Sequence, residues 1–478
     1  MAAFHSERRP LSAVASTRVI AFWRNMIAGQ SPTHVRWYIL AILTSIMTVT
    51  AFGRLNLGIA AKYLQEEFSF STQTMGWILG AFALGYALLQ IPWGWAGDRF
   101  GPVRTLTLAI AWWSVTTVLM TLVPLLHWSS LGHMAWAFAS VRFLTGAGEA
   151  ASYPNANKVV SSWTAQGERG VGSSLLLGGV GAGGVLAPIL FGATMQGWGW
   201  RSAFLISGVL CAAVFLLWFL YSTDRPDDHP SVNLAELRLL QRSFNGERVH
   251  SFSFGVTPWR KIFHSRSVWA LTGSYFFHGY TPYIYFTWFF LYLTRVRGLT
   301  VAKTGWWGTT PFMAMTVMAL LGGWLSDKAV IRLGRRRGRQ STVWVGMTCS
   351  SLLLWAGGHT ANNVSAILLL AFAAGFNMFA APSWWASCID LAPQHAGSLS
   401  GLMNMCANIA GFLAPVLTAW IATAFSWPRA LDFAACISFA AAFLWIFVDA
   451  GDSLEVGAEA GSSHRLGVPA PHRESSTG

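Results

Sequence analysis

Long apolar stretches separated by shorter polar segments dominate the chain from residue 36 to residue 449. A helix needs about 20 mainly apolar residues to cross the hydrocarbon core of a bilayer. Because the backbone of such a segment must satisfy its own hydrogen bonds within lipid, each stretch is predicted to be an α-helix. The pattern predicts an all-α membrane protein with twelve transmembrane helices, over residues 36–53, 74–96, 104–125, 132–155, 171–195, 201–222, 267–293, 303–327, 341–360, 364–389, 397–424 and 428–449.

Polar segments divide this pattern into five parts. Residues 1–35 contain several arginines and no apolar core, which does not fit a cleavable signal peptide. The last residues are rich in Gly and Ser, a composition that favours disorder. The predicted organisation is an N-terminal cytoplasmic segment (1–35), a six-helix bundle (36–222), a cytoplasmic central loop (223–266), a second six-helix bundle (267–449) and a disordered cytoplasmic tail (450–478).

Composition supports a membrane environment and excludes several classes of protein. Hydrophobic residues make up 54% of the chain and charged residues only 11%, whereas a soluble domain carries about 25% charged residues. A soluble enzyme, a disordered chain and a secreted disulfide scaffold are therefore excluded. The five cysteines lie in apolar stretches without the spacing of metal ligands. We expect no metal and no cofactor.

The net charge of +13 has an uneven distribution along the chain. If the N-terminus is cytoplasmic, Lys and Arg residues favour the cytoplasmic segments over the outer loops by about four to one, as the positive-inside rule requires. The basic charge therefore sets the orientation and does not indicate a nucleic-acid partner. The sequence predicts a multi-pass protein of the plasma membrane (the inner membrane in a bacterium) with both termini cytoplasmic.

The two predicted bundles repeat each other in sequence. Three dipeptides of the first bundle recur in the second, each after the same number of residues. Parallel repeats of this kind place a binding site between the two halves near the middle of the bilayer, and transport follows from the rocking of one half against the other. The matching pairs are Gly76-Trp77 with Gly305-Trp306, Gly94-Trp95 with Gly323-Trp324, and Asp98-Arg99 with Asp327-Lys328.

Several motifs identify a family resemblance over nearly all of residues 36–449. The segment from Gly94 to Arg104 (GWAGDRFGPVR) resembles the signature loop of the major facilitator superfamily. The segments FGRLNLG (52–58), RFLTGAGEA (142–150) and YFTW (285–288) resemble its anion:cation symporter branch, which includes bacterial transporters of hexuronate, glucarate and galactonate, and also sialin. The resemblance implies the major facilitator fold and proton-coupled symport of a small organic anion by alternating access.

Arg54 lies within the first predicted helix, where an ionisable residue is costly and therefore a functional candidate. A guanidinium group is always charged and can form two parallel hydrogen bonds with a carboxylate. In a cavity between the bundles, Arg54 would bind the carboxylate of an organic anion, and the resemblance implies the same role. The alternative is an arginine whose side chain extends to the outer surface of the membrane.

Arg142 and Glu149 lie two helical turns apart in the fourth predicted helix, so their side chains point the same way. Desolvation favours the neutral form of a carboxyl group, whereas a nearby arginine favours its ionised form. This competition makes Glu149 a candidate proton carrier, with Arg142 as a second residue that binds the anion. The alternative is a static buried ion pair. The resemblance implies the coupling role.

Two positions depart from the sugar-acid transporters. Gly53 stands where the galactonate-like members have an aspartate, and Gly179 stands where they have a glutamine that binds substrate. The chain is in this respect more similar to sialin, which implies about one proton per substrate and leaves uniport of the anion open.

Neutral and charged residues elsewhere in the helices complete the candidate site. Aromatic, hydroxyl and amide side chains suit a polyhydroxylated acid, although each is also common in packing or at membrane interfaces. These neutral candidates for substrate binding are Tyr86, Tyr283, Tyr285, Trp288, Ser383, Trp384, Asn404 and Asn408. Charge pairs at the cytoplasmic ends of the helices are expected to hold the outward-facing state, the alternative being a solvated turn; the candidates are Asp98, Arg99, Arg104 and Asp327.

The sequence predicts a proton-coupled symporter whose partners are a small carboxylate substrate and the lipid bilayer, acting as a monomer with the proton as coupling ion. Two alternatives remain, an exporter of drugs or other metabolites and a proton-independent anion uniporter. An exporter of cationic drugs would favour an acidic cavity, which two intramembrane arginines oppose. A receptor would carry a signalling domain, and an intramembrane enzyme would carry a cluster of catalytic residues; the sequence shows neither.

Overall fold

The structure is a computed structural model that describes residues 31–165, 168–242, 259–392 and 396–449. Predictions about residues 1–30 and about the tail lie outside the described residues. The described chain is almost entirely helical. Its α-helices are α1 (Val35–Phe68), α2 (Thr72–Phe100), α3 (Pro102–Leu122), α4 (Leu131–Glu149), α5 (Ser152–Trp163), α6 (Arg169–Trp198), α7 (Arg201–Tyr221), α8 (Leu234–Arg242), α9 (Trp259–His264), α10 (Arg266–Thr287), α11 (Phe289–Leu291), α12 (Val301–Trp307), α13 (Thr310–His359), α14 (Asn363–Leu391), α15 (Ala396–Ala424) and α16 (Trp427–Leu444).

Nine helices of the described chain are long and apolar enough to cross a membrane. One of them, Val301–His359, contains two predicted spans because α13 reverses direction at Gly334, whose φ of 80° is outside the helical region. The fourth and seventh predicted spans fall outside the nine. Polar side chains lower the mean hydropathy of α4 and α10, and the fourth span is divided between α4 and α5.

The first helix is longer than predicted. Its apolar stretch covers residues 36–53, but α1 continues to Phe68 through Arg54 and Asn56. Asn56 is buried and Arg54 nearly so, because the segment after Gly53 packs against other helices. Arg54 consequently lies near the middle of α1 and not at the membrane surface.

The described apolar core consists of four clusters: a small one formed by Phe82, Tyr86 and Ala150, and three large ones that define two ends of the molecule. The end with Lys158 and Arg339 is called the basic end here, and the end with Glu66 and Arg295 the opposite end. One cluster at the opposite end combines residues of both bundles. Of the described core residues at the basic end, one cluster belongs to the first bundle and another to the second. Among the described residues, the bundles therefore share their large apolar core at the opposite end, and each has its own core at the basic end.

Small residues bring the two bundles together at the shared core. A Cβ at Gly80 of α2 would lie 2.7 Å from the backbone oxygen of Phe412 in α15. A Cβ at Gly184 of α6 would lie 2.9 Å from the ring of Phe312 in α13. Only glycine allows helices to approach this closely. The contact of α2 with α15 and that of α6 with α13 therefore connect the two halves of the molecule.

Part of the central loop packs on the first bundle. Glu236 of α8 is fully buried and accepts hydrogen bonds from the backbone nitrogens of Val35 and Arg36 at 3.3 and 3.2 Å. Arg36 Nη1 lies 3.0 Å from Glu236 Oε1, and Arg36 Nη2 lies 3.0 Å from Glu168 Oε1 beside the start of α6. The carboxylate of Glu236 thus caps the first turn of α1, where helix N–H groups lack partners.

Candidate functional site

Arg54 and Glu149 meet in the middle of the first bundle. Arg54 Nε lies 3.7 Å from Glu149 Oε2, and the two side chains are 15% and 1% exposed. Arg54 comes from α1, whereas Glu149 is the last residue of α4. The surface-directed orientation that the sequence allowed for Arg54 is not observed.

The end of α4 determines where Glu149 points. The chain turns at Ala150 and Ala151 before α5 begins, and Ser152 Oγ donates a hydrogen bond of 2.7 Å to the backbone oxygen of Glu149. Two turns earlier, Arg142 Nη1 donates a hydrogen bond of 2.9 Å to the backbone oxygen of Gly53. The interruption of the helix thus places the carboxyl group beside α1, and Arg142 binds the α1 backbone directly.

Aromatic rings of α2 support both guanidinium groups. The rings of Phe82 and Tyr86 stack with centroids 6.2 Å apart. Arg54 lies 4.9 Å from the ring centroid of Tyr86, and Arg142 lies 4.7 Å from that of Phe82. Ring faces attract cations, most strongly where water is excluded. The stack therefore holds two positive charges close to one carboxyl group.

The cluster contains buried polar atoms without a hydrogen-bond partner among the described residues. They are Nε and Nη2 of Arg54, Nε of Arg142, and both carboxyl oxygens of Glu149. Such atoms are rare in folded proteins because each costs about 1–3 kcal/mol when it is left unpaired. Two guanidinium groups face one carboxyl group, so the cluster has excess positive charge and free donors. It is suited to binding an anion.

The second bundle contributes Tyr283 of α10 to this region, where it interacts electrostatically with Arg54, Arg142 and Glu149. Its hydroxyl group donates a hydrogen bond of 2.8 Å to Asn408 Oδ1. Asn408 Nδ2 in turn donates 2.8 Å to the backbone oxygen of Asn404, one turn earlier in α15. The second bundle therefore presents a neutral, polar surface to the charged cluster of the first.

Four other candidates for substrate binding make their side-chain contacts with residues of the second bundle. Tyr285 donates a hydrogen bond of 2.6 Å to the Leu370 backbone oxygen, and Trp288 Nε1 donates 3.1 Å to that of Pro415. Ser383 Oγ pairs with Ser326 Oγ at 3.1 Å. Trp384 is fully buried, with ring centroids of His278 and Tyr275 at 4.8 and 5.6 Å. These contacts do not join the arginine cluster in this conformation.

Gly53 and Gly179, the two glycines that differ from the sugar-acid transporters, have different surroundings. A Cβ at Gly53 would overlap Oε1 of Glu149, so the carboxyl group occupies the space that a side chain would need. A Cβ at Gly179 would lie 2.5 Å from the backbone oxygen of Thr44, so Gly179 allows α6 to pack closely on α1.

Tyr153 and Phe82 also belong to the site, although neither was predicted from the sequence. Tyr153 at the start of α5 interacts electrostatically with Arg54 and Tyr86. Its position four residues after Glu149 was a signal for a shared face, but the interrupted helix made the spacing hard to use. Phe82 lies one turn before Tyr86, which places both rings on one face of α2.

The gating candidates of the first bundle lie at its basic end. Asp98 Oδ1 lies 2.5 Å from Lys158 Nζ, which joins α2 to α5. Arg104 Nε lies 4.0 Å from Asp224 Oδ2, while Asp224 Oδ1 accepts 2.8 Å from the Val103 backbone nitrogen. The guanidinium group of Arg99 lies over the rings of Trp95 and Phe100 on its own helix.

The second bundle has a related arrangement around Arg339. Arg339 Nη1 lies 2.9 Å from Asp327 Oδ1, and Arg339 Nε lies 3.5 Å from Asp390 Oδ2. Asp327 and Arg339 lie on the two sides of the Gly334 turn, and Asp390 belongs to α14. The Asp98 pair connects α2 with α5 in the first bundle, and the Asp327 pair connects the two parts of α13 on either side of Gly334 in the second. The sequence did not identify Lys158, Arg339 or Asp390 as partners.

Comparison with known proteins places this architecture in a family. The Major Facilitator Superfamily profile matches residues 43–415 and again residues 305–471. The chain is 29% identical to the probable sulfoacetate transporter of Cupriavidus necator over 387 residues, which cover 81% of this chain and 87% of that protein. It is 27% identical to the probable galactarate/D-glucarate transporter of Escherichia coli K12, covering 87% of this chain and 95% of that protein.

A solved structure shows the same fold. A bacterial homolog of the human lysosomal transporter Spinster, in an inward-facing and unoccupied conformation, superimposes with a TM-score of 0.64 at 21% sequence identity. The match covers 92% of this chain and 100% of that one. The predicted helical membrane fold is confirmed, and the chain belongs to the Major Facilitator Superfamily as a multi-pass membrane transporter that is not an enzyme.

Proposed function

We propose that the protein carries a small organic anion, a sugar acid such as hexuronate, glucarate or galactonate, together with a proton by alternating access. The observation that best supports this proposal is the cluster of Arg54, Arg142 and Glu149. Some of its buried hydrogen-bond donors have no acceptor among the described residues, and its two positive charges face a single carboxyl group. A substrate carboxylate would supply the missing acceptors and negative charge. The neutral surface of Tyr283 and Asn408 would face the hydroxyl groups of the substrate.

The names of the relatives support an anionic substrate. The two reported relatives are named as carriers of sulfoacetate and of galactarate and glucarate, all of which are small acids. Cationic or neutral drugs fit the cluster poorly, because its excess charge is positive. The exporter alternative therefore gains no support from the site.

The proposed coupling uses Glu149 as the proton carrier. When Glu149 is ionised, it neutralises one of the two guanidinium charges; when it is protonated, both charges are available to the substrate. A buried carboxyl group beside two arginines thus binds either a proton or the arginines, and the substrate anion favours the protonated form. Substrate and proton would then be taken up and released together.

The separate apolar cores at the basic end fit one stage of alternating access. The bundles share a core at the opposite end, so a substrate at the cluster would reach solvent from the basic end. By the positive-inside rule, we propose that the basic end is cytoplasmic, with the protein in the plasma membrane and both termini inside. The conformation is then inward-facing. We propose that a monomer is sufficient, since both bundles of the site come from one chain.

The experiment is uptake into proteoliposomes. The full chain is reconstituted and offered labelled glucuronate, galacturonate, glucarate, galactonate, tartrate and an aromatic acid, each with and without an inward proton gradient. We expect one sugar acid to accumulate and the gradient to stimulate its uptake. Uptake that ignores the gradient would support the uniporter instead, and no uptake of any acid would contradict the proposed substrate class.

A further inference from the structure

Gly53 contacts both charged residues that α4 contributes to the cluster. Its backbone oxygen accepts the hydrogen bond from Arg142 Nη1 at 2.9 Å. On the other side of the same residue, a Cβ would overlap Oε1 of Glu149 and lie 3.3 Å from the carboxyl carbon. The missing side chain is therefore the space in which the carboxyl group lies.

The carboxyl group has few other contacts that could hold it there. Neither oxygen has a hydrogen-bond partner among the described residues, and the nearest cation is Arg54 Nε at 3.7 Å. Interactions between charges depend steeply on distance where water is excluded. A small displacement of the carboxyl group would therefore change the strength of its interactions with Arg54 and Arg142. The titratable groups that face it are Arg54 of α1, Arg142 of α4, Cys211 of α7 and Tyr283 of α10.

We propose that Gly53 is a positioning residue for proton exchange at Glu149. The absence of a side chain lets the carboxyl group lie against α1 within reach of both arginines, and any larger residue moves it away. This inference rests on the proposed function, in which Glu149 carries the proton. It adds that Gly53 determines the position of the Glu149 carboxyl group. It does not depend on which acid is carried.

A substitution at Gly53 should move Glu149 and leave the helices in place. The atom that a new Cβ would overlap is the far end of a flexible side chain. Alanine is also a better helix former than glycine. We therefore expect Gly53→Ala to fold and to displace the carboxyl group from α1.

The test is infrared difference spectroscopy of the reconstituted full chain between mildly alkaline and mildly acidic buffer. A carboxyl band that appears on acidification and is lost in Glu149→Gln belongs to Glu149. We expect Gly53→Ala to shift the frequency and the titration midpoint of this band. Gly178→Ala is the control, because it makes the same change in α6 at a position where no atom outside its own helix lies within 4 Å of a Cβ. That variant should keep the wild-type band.

A second measurement covers the case in which Gly53→Ala is unstable. The melting temperature of Gly53→Ala is compared in the wild-type and Glu149→Ala backgrounds, since coupled neighbours give non-additive effects. We expect Gly53→Ala to lower the melting temperature in the wild-type background and to leave it unchanged in the Glu149→Ala background, where the carboxyl group is absent. An equal loss in both backgrounds, or a wild-type band in Gly53→Ala, would overturn the positioning role. Absence of any Glu149 band would overturn this role and the coupling together, whereas failure to transport the acids would contradict the proposed substrate alone.

Discussion

Arg54 pairs with the carboxyl group of Glu149 and Arg142 interacts with it electrostatically, yet neither arginine has its full set of hydrogen-bond partners. An arginine that served packing alone would be paired when buried, because an unpaired buried charge is costly. The free donors therefore carry the argument for an anion. Tyr283 adds a hydroxyl group from the second bundle, so that a substrate there would contact both halves of the molecule.

Replacing Arg54 should weaken substrate binding more than folding. Loss of one partner of a buried charge pair costs about 2 kcal/mol or more, which corresponds to about 30-fold in affinity. We expect Arg54→Ala to lose at least that much in binding of the transported acid to purified protein. Arg54→Lys keeps the charge without the two-pronged geometry and should be intermediate. Wild-type affinity in Arg54→Ala would contradict the role of this arginine as the carboxylate-binding group.

Replacing Glu149 should separate substrate movement from proton movement. Glu149→Gln keeps the size of the side chain but cannot bind or release the proton. We expect the variant to exchange labelled for unlabelled acid across the membrane and to lose accumulation driven by a proton gradient. The measurement compares the two rates in the same proteoliposomes. Unchanged gradient-driven accumulation would remove Glu149 as the carrier.

Two tyrosines of α10 provide a matched comparison. Tyr283→Phe removes a hydroxyl group at the site, and a hydrogen bond worth about 0.5–1.5 kcal/mol changes KM by about 2- to 10-fold. Tyr285→Phe removes the bond to the Leu370 backbone oxygen, so it should lower the melting temperature and leave KM unchanged. The reverse pattern in KM would assign substrate contact to Tyr285.

At the scale of the helices, the hydrophobic pattern was sufficient to predict where most spans lie but not where functional helices end. The pattern ended the first span at residue 53, although α1 continues to Phe68. Arg54 and Asn56 are compatible with a helix there because neighbouring helices bury them, and burial by tertiary contacts does not show in local hydropathy. The break after Glu149, by contrast, has a local cause, because Pro154 has no N–H to donate to the backbone oxygen of Ala150 four residues earlier.

Side-chain partners were harder to predict than helices. The spacing of two helical turns between Arg142 and Glu149 predicted that they share one face of the helix, and both residues belong to the charged cluster. Tyr285 and Trp288 follow Tyr283 within five residues, but the helical geometry turns them toward α14 and α15. One sequence does not specify which face of α10 meets the first bundle. Lys158 and Asp390 were missed because their partners are distant in the chain.

The contact of α2 with α15 leads to a prediction about the rate of transport. A methyl group at Gly80 would lie 2.7 Å from the Phe412 backbone oxygen, so Gly80→Ala should force the bundles apart at the opposite end. We expect a lower maximal uptake rate with a smaller change in KM. Gly178→Ala in α6 is the control, since no atom outside its own helix lies within 4 Å of a Cβ there. Equal rates in the two variants would contradict the importance of this contact.

At the scale of the whole molecule, the two bundles are held together at one end. Glu66 of α1 and Arg295, which follows α11, form an exposed ion pair of 2.9 Å across the bundles at the opposite end. An exposed pair of this kind contributes little stability, so it can break when the bundles rock. At the basic end, Asp98 and Asp327 are paired within their own bundles, with Lys158 and Arg339.

Cross-linking the opposite end should stop transport. In Glu66→Cys/Arg295→Cys, a short bifunctional thiol reagent would join the bundles where they must separate for the outward-facing state. We expect uptake to be lost on cross-linking, while each single cysteine variant stays active after the same treatment. Full activity of the cross-linked double variant would contradict alternating access through separation of this end.

The most direct test of proton-coupled anion transport follows both species in one vesicle. Proteoliposomes contain a trapped pH-sensitive dye and no imposed gradient, and the acid identified by the uptake panel is added outside while its labelled entry is measured. We expect the interior to become acidic as the acid enters, and Glu149→Gln to abolish the acidification. Entry of the acid into wild-type vesicles without any acidification would contradict proton-coupled transport.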